Sequence, residues 1–160
     1  MDPRGLLKAL ADAEVRFVLI GGVAAVLQGV PVFTNDVDTV HARHADNRKR
    51  LAAALRSLGA SYRRHAPRIE PKEDDRGFPG THLLDTRLGN LDLIGVAVGG
   101  LDYERLLEHA REMDLGEGVH VLVADLALLT RMKEALGREK DRARLPDYRR
   151  ALEEREKHRR

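Results

Sequence analysis

Two aspartates, Asp36 and Asp38, flank a single valine in this sequence. Residues two apart on a β-strand point to the same face, so a strand here would present both carboxylates together and turn Val37 into the core. Two carboxylates on one face repel each other unless a cation lies between them. Because acidic oxygen ligands suit Mg²⁺ or Mn²⁺, the pair is a candidate site for such an ion. A solvated strand edge is the alternative.

The segment before the aspartates predicts how they are held. An apolar run over residues 15–20 predicts a strand, Gly21 and Gly22 follow it, and small apolar residues over 23–28 predict a short helix. Glycines allow the backbone to approach a ligand closely, and the first N–H groups of a helix are unpaired. A triphosphate is the obvious candidate ligand. A tight strand-to-helix turn without a ligand is the alternative.

This order of elements resembles the minimal nucleotidyltransferases of the DNA polymerase β-like superfamily. Their signature is an apolar residue, Gly-Gly or Gly-Ser, a short intervening stretch and then Asp-x-Asp. Here it reads Ile20-Gly21-Gly22 and then Asp36-Val37-Asp38. The position of Thr34 is similar to that in the bacterial AbiEii-type branch, where a Thr commonly lies two residues before the first Asp. The resemblance implies an α/β (α+β) nucleotidyltransferase fold, with a mixed sheet of about four or five strands flanked by helices and a helical C-terminus.

A third aspartate, Asp92, lies in the second arm of a predicted β-hairpin. Alternating residues over 82–87 and 90–97 flank a Leu-Gly turn, which is the pattern of two paired strands. Asp92 interrupts the apolar residues of its arm, and an acid there is costly unless it is paired or bound to a cation. The resembled superfamily brings a third carboxylate to the Asp pair on a later strand. Asp92 matches that position, and Asp85 on the first arm is the weaker candidate.

Residues 129–141 carry a second resemblance. AbiEii-type and related nucleotidyltransferases often have a lysine on this helix, followed by Arg-x-Lys-Asp, and here these are Lys133, Arg138, Lys140 and Asp141. Lysine is a compact cation suited to triphosphate oxygens. The resemblance therefore implies that Lys133 binds the nucleotide and that Asp141 orients the lysine. An exposed helical charge is the alternative for Lys133.

The activity implied by the resemblance is Mg²⁺- or Mn²⁺-dependent transfer of a nucleoside monophosphate from a nucleoside triphosphate to a hydroxyl group. The implied catalytic and metal-binding residues are Asp36, Asp38 and Asp92. The implied nucleotide-binding residues are Gly21, Gly22, Thr34, Lys133 and Asp141.

The acceptor class stays open among RNA or tRNA, a protein, and a small molecule. AbiEii-type proteins include toxins of toxin–antitoxin systems, so a cognate antitoxin or other partner protein is also implied. Two alternatives remain: a catalytically inactive nucleotide-binding module of the same fold, and an RNA-binding module that relies on a basic C-terminal helix.

Composition narrows the class of protein. The 160 residues, 42% hydrophobic and 34% charged, predict one globular domain, with an α/β core over 1–125 and C-terminal helices over 126–160. The absence of cysteine excludes disulfides and thiolate metal ligands. No apolar stretch is long enough to span a membrane, and the first residues lack the apolar region of a signal peptide, so a cytoplasmic location is expected.

Charge is distributed unevenly along the chain. The net charge is only +2, but residues 131–160 hold twelve Lys or Arg against seven Asp or Glu. Such a segment attracts phosphates, or it forms the solvated face of a terminal helix. Helical patterns are also predicted over 46–58, with Asp46 as the cap, and over 101–113. In the last helix, Pro146 is expected to introduce a kink or a break.

Overall fold

The computed structural model describes residues 1–77 and 80–159. Residues 66–80 are rich in Pro, Gly and charge, which predicts a surface loop, and residues 78 and 79 of that stretch lie outside the described part. The elements, in chain order, are α1 (Pro3–Asp12), β1 (Phe17–Ile20), α2 (Gly21–Val26), β2 (Asp36–His41), α3 (Ala45–Ser57), β3 (Ser61–Tyr62), β4 (Thr81–Thr86), β5 (Gly89–Ile94), α4 (Tyr103–Leu107), β6 (Ala110–Asp114), β7 (His120–Ala124), α5 (Leu126–Leu136) and α6 (Glu139–His158). None of the described helices has the length and apolarity that crossing a membrane requires.

One mixed sheet organises the described residues. Its seven strands run in the order β3-β4-β5-β2-β1-β7-β6. At the centre, β2 pairs with β1 in antiparallel fashion and with β5 in parallel fashion, while β1 pairs with β7 in parallel fashion. Strands that are distant in sequence thus become neighbours at the middle of the sheet. The predicted mixed sheet flanked by helices is confirmed.

The expected four or five strands were too few, because two edge strands carry no usable pattern. β3 has only two residues, which is too short for a period. β6 reads Ala-Arg-Glu-Met-Asp and its side chains are partly or fully exposed. All five residues of β6 pair with β7. This pairing replaces the C-terminal half of the helix predicted over 101–113, of which only the five residues of α4 are helical. Tertiary pairing has overridden local propensity.

The central strands are held by a core on both faces of the sheet. All four residues of β1 are buried, and Val37 of β2 has no exposed surface. Helix α1 packs through Leu6, Leu7 and Leu10, which are at most 1% exposed. Asp2 caps this helix, because one of its carboxylate oxygens accepts a hydrogen bond from the Gly5 N–H at 2.8 Å.

Two helix boundaries differ from expectation. The cap of α3 is His44, whose Nδ1 accepts from the Asn47 N–H, and Asp46 lies inside the first turn. Helix α6 is one helix through Pro146 rather than two. A proline removes one backbone hydrogen bond, but Leu145 and Tyr148 on either side of it are buried, and their packing keeps the helix continuous.

Candidate active site

The strand pairing brings the three predicted aspartates onto one face of the sheet. In the parallel pairing of β2 and β5, Asp38 lies opposite Asp92, and Asp36 lies opposite Asn90. Since side chains alternate along a strand, residues 36, 38, 90 and 92 share a face. Val37 points to the opposite face and is fully buried there. Three carboxylates from two non-adjacent segments therefore meet at neighbouring sheet positions.

This crowding changes the protonation of the carboxylates. Burial, followed by the charges of Asp36 and Asp92, raises the pKa of Asp38 to about 7. Burial also raises the pKa of Asp92, although the Arg63 guanidinium opposes that shift. The interaction between the two side chains raises the pKa of Asp38 and lowers that of Asp92, so a shared proton is favoured on Asp38. The cluster therefore favours a proton or a cation between its members.

The raised pKa of Asp38 predicts a pH dependence of stability in the absence of divalent cations. Between about pH 4 and pH 7 the unfolded chain has released this proton while the folded chain retains it. The folded state then binds more protons, so the free energy of unfolding should fall as pH rises through this window. Urea unfolding in a chelator should show that fall, and Asp38→Asn should flatten it. Parallel pH profiles for the two proteins would contradict the assignment.

The glycine pair that begins α2 packs closely against these acids. Gly21 has a φ of 69°, and a Cβ atom there would collide with the Asp38 carboxylate. A Cβ atom on Gly22 would lie 2.6 Å from the Cβ of Thr34. The two glycines therefore allow the β1–α2 turn to pack directly against Asp38 and Thr34. The contact of these two glycines with a nucleotide stays a prediction.

Thr34 orders the first aspartate. Its hydroxyl donates to the Asp36 carbonyl oxygen at 3.1 Å and lies 3.3 Å from the Asp36 carboxylate oxygen Oδ1. Thr34 also borders the cleft that opens over the three acids. This residue, which is predicted to bind the nucleotide, is therefore also held by Asp36 within its own segment.

A cleft of about 400 Å³ opens over the three acids. Its walls differ in chemistry. One side carries the acids and the glycine turn, and another carries cationic side chains from α5, α6 and their connection. The cationic residues are Lys133, Arg138, Lys140 and Arg144. Apolar residues of β4, β5 and α5 complete the lining, among them Leu83, Ile94 and Leu129. Every residue predicted for the site borders this cleft, whereas Asp85 does not.

Asp141 is the buried centre of the cationic wall. Its side chain is 1% exposed, and its two carboxylate oxygens accept from Lys133 Nζ at 3.0 Å and from Arg138 Nε at 2.6 Å. Burial alone would raise the pKa of Asp141, but the hydrogen bonds from Arg138 and Lys133 outweigh it and hold the pKa below its usual value. The Lys133 ammonium also lies 5.5 Å from the centre of the Tyr148 ring. The lysine is thus held in place, as the prediction for Asp141 requires.

The sequence interpretation missed Arg63, which directly follows β3. Its Nη2 donates to Asp92 Oδ1 at 2.5 Å and to the Leu84 carbonyl oxygen at 3.1 Å, and its Nε lies 3.4 Å from Asp85 Oδ1. Arg63 and Asp92 lie 29 residues apart in the sequence. No local pattern indicates such a pair. The only available sign was that an acid inside an apolar strand needs a partner.

The donor set fits a hard divalent cation by its chemistry. Carboxylate oxygens are the ligands that Mg²⁺ and Mn²⁺ prefer, and burial together with the charges of Asp36 and Asp92 disfavours the ionised form of Asp38 unless a cation is near. Within residues 1–77 and 80–159, however, no three acidic or histidine side chains already enclose a metal position. One oxygen of Asp92 is taken by Arg63 instead. Asp36, Asp38 and Asp92 are the residues that would hold the ion.

The fold of this chain is also found among solved structures. A crystal structure of a Thermotoga maritima protein described as a "putative nucleotidyltransferase" has this fold too, with a TM-score of 0.56 and 19% identical residues. The match covers 94% of this chain and 90% of that chain. No protein-family model and no curated protein sequence matches the chain. The predicted mixed α/β fold is confirmed apart from its number of strands, and the AbiEii-type branch stays a prediction.

Proposed function

We propose that this protein is a Mg²⁺-dependent nucleotidyltransferase that transfers a nucleoside monophosphate from a nucleoside triphosphate to a hydroxyl acceptor. The observation that carries the proposal is the convergence of Asp36, Asp38 and Asp92 on one face of β2 and β5, beneath a cleft with a cationic wall. The similar fold of the Thermotoga protein supports it. Mn²⁺ is an alternative ion, because it accepts the same oxygen ligands.

In the proposed reaction, the acceptor oxygen forms a bond to the α-phosphorus of the nucleoside triphosphate. At the same time the bond breaks between that phosphorus and the oxygen that links the α- and β-phosphates. Pyrophosphate leaves, and the acceptor proton passes to a carboxylate, for which Asp92 is the candidate. Asp36, Asp38 and Asp92 would hold divalent cations, which would supply the neutralisation of negative charge on the attacking and leaving oxygens. Asp36 and Asp38 would fix the position of the cations, because Thr34 and the glycine turn pack against these two carboxylates.

The cationic wall would hold the β- and γ-phosphates. Lys133 is the best-placed residue, because Asp141 and Tyr148 restrict its ammonium group at the edge of the cleft. Arg138, Lys140 and Arg144 border the same space. Catalysis would then depend mainly on positioning and electrostatic stabilisation, with little covalent participation by the protein.

Replacing Lys133 with glutamine should raise the KM for the nucleoside triphosphate by about tenfold to a hundredfold, which is the range of a lost charge-assisted hydrogen bond. Steady-state kinetics with varied nucleotide measure this. Arg131→Gln is the matched control, because Arg131 lies on the same helix but is exposed and away from the cleft. An unchanged KM in a folded Lys133→Gln protein would remove Lys133 from the nucleotide site.

The proposal as a whole is tested by incubating the protein with each α-labelled nucleoside triphosphate, Mg²⁺ and cell extract. Label that moves onto RNA, protein or a small molecule identifies the acceptor class. The transfer should disappear in the Asp36→Asn, Asp38→Asn double variant. Transfer that survives in this variant, or no transfer with any nucleotide and extract, would contradict the proposal.

An inactive nucleotide-binding module is the second candidate, and one observation favours it: Arg63 already satisfies Asp92. This candidate predicts nucleotide binding without turnover. The third alternative, an RNA-binding module, predicts binding that weakens steeply with salt and does not respond to Mg²⁺ or to Asp36. Label transfer to tRNA ends would support the AbiEii-type branch and a toxin–antitoxin role with a cognate antitoxin.

A further inference from the structure

We propose that Arg63 is a positioning residue that competes with a divalent cation for Asp92 and moves to Asp85 when the cation binds. The inference rests on the proposed function, because it assumes that the acidic cluster binds metal. The inference adds two residues to a site otherwise built from β2, β5 and α5. These are Asp85 of β4 and Arg63, which follows β3.

The contacts of Arg63 fix where its charge lies. Its backbone N–H donates to the Leu83 carbonyl oxygen at 2.9 Å, which anchors the residue to β4. Its side chain then reaches across β4, donating to the Leu84 carbonyl oxygen on the way to Asp92. The Arg63 and Asp92 side chains are 18% and 12% exposed, so water screens this pair only partly.

A guanidinium in this position supplies one positive charge to the acidic cluster. Asp92 is a predicted metal ligand, and its Oδ1 already accepts a short hydrogen bond from Arg63. A cation arriving at Asp92 would meet both an occupied oxygen and a like charge. Arg63 therefore lowers the affinity of the free protein for the metal at this carboxylate.

Asp85 is a second carboxylate with which Arg63 can pair. Asp85 Oδ1 is already 3.4 Å from Arg63 Nε, and the Asp85 side chain is 53% exposed and borders no part of the cleft. A small rotation of the guanidinium can exchange Asp92 for Asp85 without leaving a partly buried charge unpaired, which would be costly. Two carboxylates thus flank one arginine, and only one of them faces the metal cluster.

A purely structural role is the competing explanation, in which Arg63 simply ties β3 to β5. The two explanations differ in the sign of a metal-binding effect. A structural tie lost by mutation would loosen the site and weaken metal binding. A competitor lost by mutation would strengthen it.

The experiment measures Mn²⁺ binding by electron paramagnetic resonance without nucleotide, so that the result does not depend on turnover. Arg63→Gln should bind Mn²⁺ at least about tenfold more tightly than the wild type, since it removes a nearby positive charge. Arg63→Lys should restore an affinity near that of the wild type. Arg64→Gln, at the exposed neighbouring arginine, should leave the affinity unchanged.

Asp85→Asn provides an independent arm with the opposite sign. It removes the second partner of Arg63, so the arginine stays on Asp92 and Mn²⁺ affinity should fall. Because Asp85 is half exposed, this variant is expected to fold even if Arg63→Gln does not. Unchanged or weaker binding in folded Arg63→Gln, or unchanged or tighter binding in Asp85→Asn, would overturn the inference.

Asp38→Asn separates this failure from failure of the proposed function. If Asp38→Asn loses Mn²⁺ binding while Arg63→Gln matches the wild type, the acids hold metal and only the role of Arg63 is wrong. If Asp38→Asn binds Mn²⁺ as the wild type does, the cluster is not the metal site, and both the proposed function and this inference fail.

Discussion

Replacing Asp38 with asparagine should reduce nucleotidyl transfer by at least about a thousandfold, equivalent to about 4 kcal/mol of transition-state stabilisation. Asp38 is the central carboxylate: Asp92 is its strand partner, and Asp36 lies two residues away on the same face. An amide keeps the shape of the side chain but removes the charge that would hold a cation against the reacting phosphate. Rates of label transfer at saturating nucleotide measure the effect.

The same substitution should not destabilise the chain at neutral pH. Burial of Asp38, followed by repulsion from Asp36 and Asp92, raises its pKa to about 7, so its ionised form opposes folding. Asparagine removes that repulsion, and activity and stability should therefore change in opposite directions, as is common at functional sites. Asp46→Asn, an exposed aspartate in the first turn of α3, is the control and should leave both unchanged. Full activity in Asp38→Asn would exclude the proposed mechanism.

The acidic cluster was predictable because local patterns place each aspartate on a strand and the resemblance brings the two strands together. The Asp36-Val37-Asp38 alternation specifies which side chains share a face, and the hairpin pattern around Gly89 specifies the strand that carries Asp92. The pairing of β2 with β5 then needed no further information than the resemblance supplied. The contact of Lys133 with Asp141 spans only eight residues, from α5 to the start of α6, so it could also be predicted from the sequence.

The parts that sequence reasoning missed depend on non-local pairing. β6 forms only because β7 lies beside it, and its own residues are mostly charged. β3 is too short to show a period, so the residue that follows it, Arg63, looked like one more surface charge. The packing of Gly21 against Asp38 was also not predicted, because a close approach of the backbone to a side chain and a close approach to a ligand both require glycine.

Replacing Asp141 with asparagine should lower the free energy of unfolding by about 3 kcal/mol, or the melting temperature by about 10 °C. Asp141 has no exposed surface and accepts charged hydrogen bonds from both Lys133 and Arg138. An amide cannot balance two cations, and the Lys133 side chain is only 15% exposed, so its charge would be left poorly compensated. Thermal unfolding followed by circular dichroism measures the loss.

The pH dependence of this loss identifies its cause. The pKa of Asp141 is held below its usual 3.8, so the stabilisation is present above that pH and disappears as the pH falls through the lowered value. The difference between wild type and Asp141→Asn should therefore be constant near neutrality and shrink below about pH 4. Asp147→Asn on the same helix is the control, because its 4.0 Å pair with the exposed Arg150 should contribute less than about 1 kcal/mol. A loss that persisted undiminished in acid would point to packing rather than to charge as the role of Asp141.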